Sequence, residues 1–153
     1  MKILKYALIV LFSAGMMSCG GGGGDDEPDV DTTKPTVTIA NPTANTVINA
    51  GDNLPVNFTA SDNIALSSYT VIIAYTGAKS TKQVEEFSFD SRTGTDADGN
   101  ALPTISGASK SISFNVATLS DNKVALDGMY KITISITDSS DNVSTKEVTF
   151  EIQ

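Results

Sequence analysis

The stretch Leu126–Asp138, LDGMYKITISITD, decides the fold. It opens on Asp127-Gly128, a pair that makes tight turns because aspartate bonds to nearby backbone and glycine accepts a left-handed conformation. Tyr130, Ile132, Ile134 and Ile136 then alternate with Lys131, Thr133, Ser135 and Thr137. Successive side chains of a strand point to opposite faces, so this pattern predicts a strand with one buried and one wet face.

The same two-residue period recurs on both sides of it. Lys34-Pro35 opens the folded region, and Thr36 to Ala40 alternates as a first strand. Asn41-Pro42 and Ala50-Gly51-Asp52-Asn53 are turn signals. Leu54, Val56, Phe58 and Ala60 define a second strand, with Pro55 near its start or edge because proline has no N–H for a ladder. Ser61-Asp62-Asn63 predicts a turn into a third strand, Leu66 to Tyr75, where Tyr69, Val71, Ile73 and Tyr75 share one phase. Ile72 and Ala74 make its other phase partly apolar. A fourth strand is expected at Val84 to Phe89 and, after a long polar stretch, a fifth at Ser111 to Val116. The strand of Tyr130 is the sixth, and Val143 to Ile152, with Val148, Phe150 and Ile152 in phase, is the seventh. Seven such strands without a convincing helix predict an all-β antiparallel sandwich over residues 34–153.

Asp127-Gly128-Met129-Tyr130-Lys131-Ile132 resembles the start of strand F in an immunoglobulin-like sandwich. There a tyrosine hydroxyl bonds back to the backbone at the corner. Ile132 stands where antibody domains carry a cysteine. Together with TASDNIALSSYTVII (59–73) and GMYKITISITDSSDN (128–142), it makes nearly all of residues 34–153 resemble bacterial immunoglobulin-like domains. An uncharacterised family of small lipoproteins has this architecture and is the nearest resemblance.

The amino-terminal end reads differently. Met1 to Lys5 is a short basic start, and Tyr6 to Met17 is an apolar run closed by Ser18-Cys19, the layout of a secretory signal peptide. The apolar run is shorter than the roughly 20 residues that span a bilayer, which disfavours a transmembrane helix. Met16-Met17-Ser18-Cys19 resembles a bacterial lipobox, although leucine usually stands where Met16 does. That resemblance implies cleavage before Cys19, lipidation of its thiol and attachment to a membrane. The competing reading is an ordinary signal peptide with an incidental cysteine. Residues 19–33 then form a spacer: Gly20 to Gly24 give a flexible coil, and the following acids keep it extended by repulsion. Acids soon after a lipidated cysteine resemble the export signal of Bacteroidetes-type surface lipoproteins. This implies an outer-membrane protein facing the cell exterior, with the periplasmic face as the alternative.

Charge and composition remove several function classes. The net charge of −8 becomes −10 once residues 1–18, with two lysines and no acid, are removed. Five acids between Cys19 and Lys34 hold half of that charge, and no Lys/Arg cluster is present to bind a phosphate backbone, so nucleic acid is not a partner. The chain has no histidine and a single cysteine, which excludes an internal disulfide, Ser-His-Asp and Cys-His nucleophilic arrangements and the usual zinc sites. No pair of acids is flanked by the apolar residues that would tune glycoside hydrolysis. The expectation is a protein that is not an enzyme.

Two candidate sites remain. In immunoglobulin strand order, the second-to-third, fourth-to-fifth and sixth-to-seventh loops share one end. Those loops carry Asp62, then Asp90, Asp96 and Asp98, then Asp138 and Asp141, and the chain arrives there from Asp31. Calcium takes six to eight oxygens, largely carboxylate and carbonyl, so Asp62, Asp96, Asp98, Asp138 and Asp141 are candidate metal ligands. Asp96 to Asn100 resembles the start of an EF-hand loop, but Ala101 and Gly107 replace its glycine and its final glutamate. Plain turn-making is the competing role for all these aspartates, and no other cofactor is implied. The second site is a shallow outer-face patch of Ile72, Thr133, Ser135 and Thr149, with Tyr75 at a strand end, for a protein or glycan partner. Together these features suggest a lipid-anchored, non-catalytic binding or adhesion module, accessory to a larger envelope assembly. The alternative is a structural spacer without its own ligand.

Overall fold

The computed structural model describes residues 30–77, 87–120 and 123–153; the predicted signal peptide, Cys19, most of the tether and the first half of the predicted fourth strand lie outside them. The chain forms β1 (Thr36–Asn41), β2 (Val47–Ile48), β3 (Asn53–Tyr75), β4 (Phe89–Asp90), β5 (Gly107–Ala117), β6 (Leu119–Ser120), β7 (Lys123–Val124), β8 (Gly128–Asp138) and β9 (Val143–Ile152). There is no helix among the described residues.

β3 is the element on which both layers hang. Its first part, up to Ser61, pairs with β1 on one side and β5 on the other. Leu66 still meets Gly107 of β5, and from there onward β3 pairs with β8 and β4. The register slips between Ser61 and Leu66, and this corner carries the chain from one layer to the other. The second and third predicted strands are therefore one continuous element, because the backbone stays extended through the corner where Ser61-Asp62-Asn63 had predicted a turn. The second layer continues from β8 through β9 to β2, which pairs in parallel with β9. β2 has only two residues, too few for a period to show. The result is an immunoglobulin-like antiparallel sandwich.

The predicted inward phases fill the space between the layers. Leu54, Val56, Phe58 and Ala60 on β3 face Ile132, Ile134 and Ile136 on β8 and Phe150 and Ile152 on β9, each at most 2% exposed. Phe58 meets Tyr69 edge-on at 5.3 Å, joining the two parts of β3 across the core. β1 reaches only to Asn57 along β3, so at Pro55 β5 is the one neighbouring strand, which suits a residue lacking an N–H.

The corner before β8 is built as the resemblance implied. Tyr130 is fully buried, and its hydroxyl donates to the Leu126 carbonyl at 2.8 Å. Gly128 adopts φ 139°, and a Cβ placed there would lie 2.8 Å from the Tyr75 ring, so glycine is required on both counts. Tyr130→Phe keeps the packing and removes this hydroxyl bond. It is expected to cost about 1–1.5 kcal/mol in urea unfolding, with a larger loss indicating repacking beyond the bond.

Candidate metal centre

Three aspartates from separate segments meet at the pole beside the β3 corner: Asp31 of the incoming chain, Asp62 of the corner and Asp138 at the end of β8. One carboxylate oxygen of each lies within 4.8 Å of those of the other two. Each is aimed by its local turn. Asp62 Oδ1 accepts from the Ile64 and Ala65 N–H groups at 2.9 and 3.0 Å. Asp138 Oδ1 accepts from the Ser140 and Asn142 N–H groups, both at 2.8 Å, and its Oδ2 from Asn142 Nδ2 at 2.8 Å. Asp31 Oδ1 accepts from the Thr33 N–H at 2.9 Å and from Asn63 Nδ2 at 3.1 Å.

The segments are also tied to one another. Asn142 Nδ2 donates to the Asp31 carbonyl at 2.9 Å, and the Ser139 N–H donates to the Ala65 carbonyl at 2.9 Å. The chain therefore joins the sandwich at this pole, as its arrival from Asp31 had led us to expect.

Electrostatically the pole is unfinished. Asp138 is fully buried, and one oxygen each of Asp31 and Asp62 (Oδ2 in both) is sealed from solvent with no hydrogen-bond donor among the described residues. Among the described residues no lysine or arginine forms an ion pair with any of the three. Burial disfavours the charged form of Asp138, but bonds from the Asn142 side chain and from the Asn142 and Ser140 N–H groups outweigh it and hold its carboxyl below the usual value. The donor set is all oxygen, which fits a hard cation and not zinc.

The other aspartates expected here are elsewhere or turned to other work. Asp96 folds its own turn, its Oδ1 accepting from the Asp98 and Asn100 N–H groups and its Oδ2 from Asn100 Nδ2. These bonds, the Asn100 N–H foremost, keep its carboxyl below the usual value against some desolvation. The Ala97 N–H donates to the Asn115 carbonyl, which fixes that turn beside Asn115 on β5. The acidic pole is at the Gly107 end of the same strand, so roughly 25 Å of extended chain separates them. Asp96 and Asp98 are thus not part of the centre: the long fourth-to-fifth connection runs back along the sandwich instead of staying at its end. Asp90 pairs with Arg92, whose hydrogen bonds bring its carboxyl down to about 2. Asp141 is exposed at φ 65°, a left-handed turn position that aspartate tolerates, and it contributes no oxygen to the cluster. Asp31, which supplies the third carboxylate, had not been expected as a ligand.

The outer-face patch divides. Ile72, 39% exposed, lies opposite Thr133 on β8, and Thr133 lies opposite Glu147 on β9. Thr133 Oγ1 donates to Glu147 Oε1 at 3.1 Å, Lys131 Nζ pairs with the same oxygen at 2.9 Å, and Ser135 bonds Thr145 at 3.0 Å. Thr149 is exposed opposite Lys131. The residues of the patch form a polar ladder around one isoleucine, not an apolar patch. Tyr75 belongs to the opposite face, where it packs edge-on against Tyr130 at 5.3 Å. The patch therefore does not include it, because 72 and 75 differ by an odd number along a strand.

A broad open groove of about 580 Å³ lies beside Tyr69, whose hydroxyl donates to the Pro103 carbonyl at 2.7 Å. Its described walls are hydroxyl, apolar and backbone groups, with no carboxylate, amine or thiol.

An immunoglobulin-like sandwich with an acidic pole where the incoming chain joins it is the class of protein these features define. The chain belongs to the family described as a domain of unknown function, DUF4625, whose profile matches residues 22–153. No curated protein matches the chain. Among solved structures it is similar to fibronectin(III)-like modules of Clostridium thermocellum CbhA, at 18% identity and TM-score 0.47 over 78% of this chain and 47% of that one. A mutant β-glucosidase from Listeria innocua in complex with laminaribiose is similar at 16% identity and TM-score 0.43, over 78% of this chain and 16% of that one. The chain thus spans about half of the first of these proteins and about a sixth of the second.

Proposed function

We propose that this protein is a non-catalytic binding module, held by lipid on Cys19 to the outer membrane and facing the cell exterior. The observation that carries this reading is the place where the chain joins the sandwich. Asp31 is bonded to Asn63 and Asn142 at the acidic pole, 12 residues after the cysteine of the lipobox-like motif. An anchor on Cys19 then puts that pole toward the membrane and presents the opposite end of the sandwich to a partner.

That opposite end is suited to presentation. The buried Thr118 hydroxyl donates to the Asp52 carbonyl at 2.6 Å and accepts from the Gly51 N–H at 2.9 Å. These bonds hold two loops together in advance of binding, which reduces the ordering cost of recognition. Val47 and Met129, 49% and 43% exposed, flank Glu151 in one row across β2, β9 and β8. Apolar side chains around an acid suit a protein surface better than a sugar, which favours aromatic platforms. The absence of histidine from the sequence and of acid or base groups from the described walls of the Tyr69 groove support a role without catalysis.

Cys19→Ser is expected to abolish acylation, read by mass spectrometry of the amino-terminal peptide, and to move the protein from the membrane to the soluble fraction. A Cys19→Ser protein that stays membrane-bound contradicts the anchor. Cross-linked capture from intact cells is expected to return one partner in stoichiometric yield, lost on Val47→Glu with Met129→Glu. Capture of nothing above background favours the structural spacer.

A further inference from the structure

We propose that Asp31, Asp62 and Asp138 form a calcium site that fastens the incoming chain to the sandwich. This inference does not depend on lipidation or on a partner. Proximity of acids alone would not carry it, since acidic side chains often share a surface. What carries it is the state of the oxygens. Asp31 and Asp62 each spend Oδ1 on N–H donors and keep an Oδ2 that is closed to solvent and has no donor among the described residues. Buried carboxylate oxygens are ordinarily hydrogen-bonded, because leaving one without a partner forfeits its hydration and returns nothing. Here the two carboxylates that carry such oxygens converge with a third, fully buried one, an oxygen of each lying within 4.8 Å of an oxygen of the others. A cation at their centre satisfies both orphans and cancels the mutual repulsion.

The chemistry selects the ion. Three carboxylates, binding through one or both oxygens, supply three to six hard ligands, and water or backbone carbonyls complete a shell of six to eight. Calcium accepts such an irregular arrangement, whereas magnesium demands near-octahedral geometry and gives up its water reluctantly. The ligands come from the tether, the β3 corner and the β8–β9 turn, so binding joins three segments at once. Filling the site should fix the angle at which the tether leaves the domain, and emptying it should free Asp31.

The test is a thermal melt and a calorimetric titration of the full-length protein in detergent, after chelation and exchange into metal-free buffer. Calcium chloride is compared with magnesium chloride at equal ionic strength. The expected result is one calcium ion per chain and a midpoint raised by about 8 °C when free calcium is a hundredfold above Kd. Asp31→Asn separates the site from the fold, because Asp31 lies outside every strand. Its metal-free midpoint is expected within about 2 °C of the parent, with the calcium shift removed. No shift with calcium, an equal shift with magnesium, or a calcium shift that survives Asp31→Asn would each overturn the proposal.

Discussion

Replacing Tyr130 with alanine is expected to lower the unfolding free energy by about 3–5 kcal/mol, a large share of what a domain of this size possesses. Tyr130 is fully buried and lies against the rings of Tyr75 at 5.3 Å, Phe87 at 5.9 Å and Phe150 at 6.0 Å. Removing its ring opens a cavity where β3, β8 and β9 meet, and neighbours locked in strands cannot close it. The hydroxyl bond to Leu126 is lost as well. Urea unfolding of this variant beside Tyr130→Phe separates the two contributions. A loss under about 1.5 kcal/mol for alanine would mean that the ring is not a keystone of the core.

Asp138→Ala should have the second largest effect, measured in chelator so that metal binding plays no part. It leaves the Ser140 and Asn142 N–H groups and the Asn142 amide without their acceptor at a buried turn. A fall in the melting midpoint of about 10 °C is expected, and Asp138→Asn should cost less because its amide oxygen can still accept. The same carboxylate makes stability depend on acid. Its folded-state pKa is lower than its unfolded one, so the unfolded chain binds the proton more readily. The stabilisation is complete above the ordinary aspartate value near 4 and is lost as pH falls below it. Midpoints measured between pH 2 and pH 6 should drop more steeply for the parent than for Asp138→Asn.

The sandwich was legible in the sequence because its strands have one buried face. Ile132, Ile134 and Ile136 announce theirs by strict alternation, and the Asp127-Gly128-Met129-Tyr130 order announces the corner that Tyr130 closes. The continuity of β3 was not legible, because the Asx bonds of Asp62 give the same sequence signal whether a chain reverses or bends between layers. β2 was hidden by its length. At the pole, Asp62 and Asp138 could be placed from loop order. Asp31 could be brought to this end as the incoming chain but not recognised as a ligand, since its contact with Asn142 spans 111 residues of chain. Asp96 and Asp98 were drawn into the same group because turn-making and calcium ligation use the same residues at the same spacing. What separates the two roles is whether carboxylates from separate segments converge, as Asp31, Asp62 and Asp138 do, and whether oxygens are left over among them. Among the groups described, Asp96 uses both of its oxygens in its own turn, whereas Asp31 and Asp62 each keep one unused.

The most direct measurement is a crystal structure of the protein grown with calcium, with anomalous data to mark the ion. One ion is expected at the acidic pole, about 2.3–2.6 Å from Asp31 Oδ2, Asp62 Oδ2 and an oxygen of Asp138. Water or a lysine ammonium between those three carboxylates, in crystals saturated with calcium, would contradict the site and leave the tether held by hydrogen bonds alone.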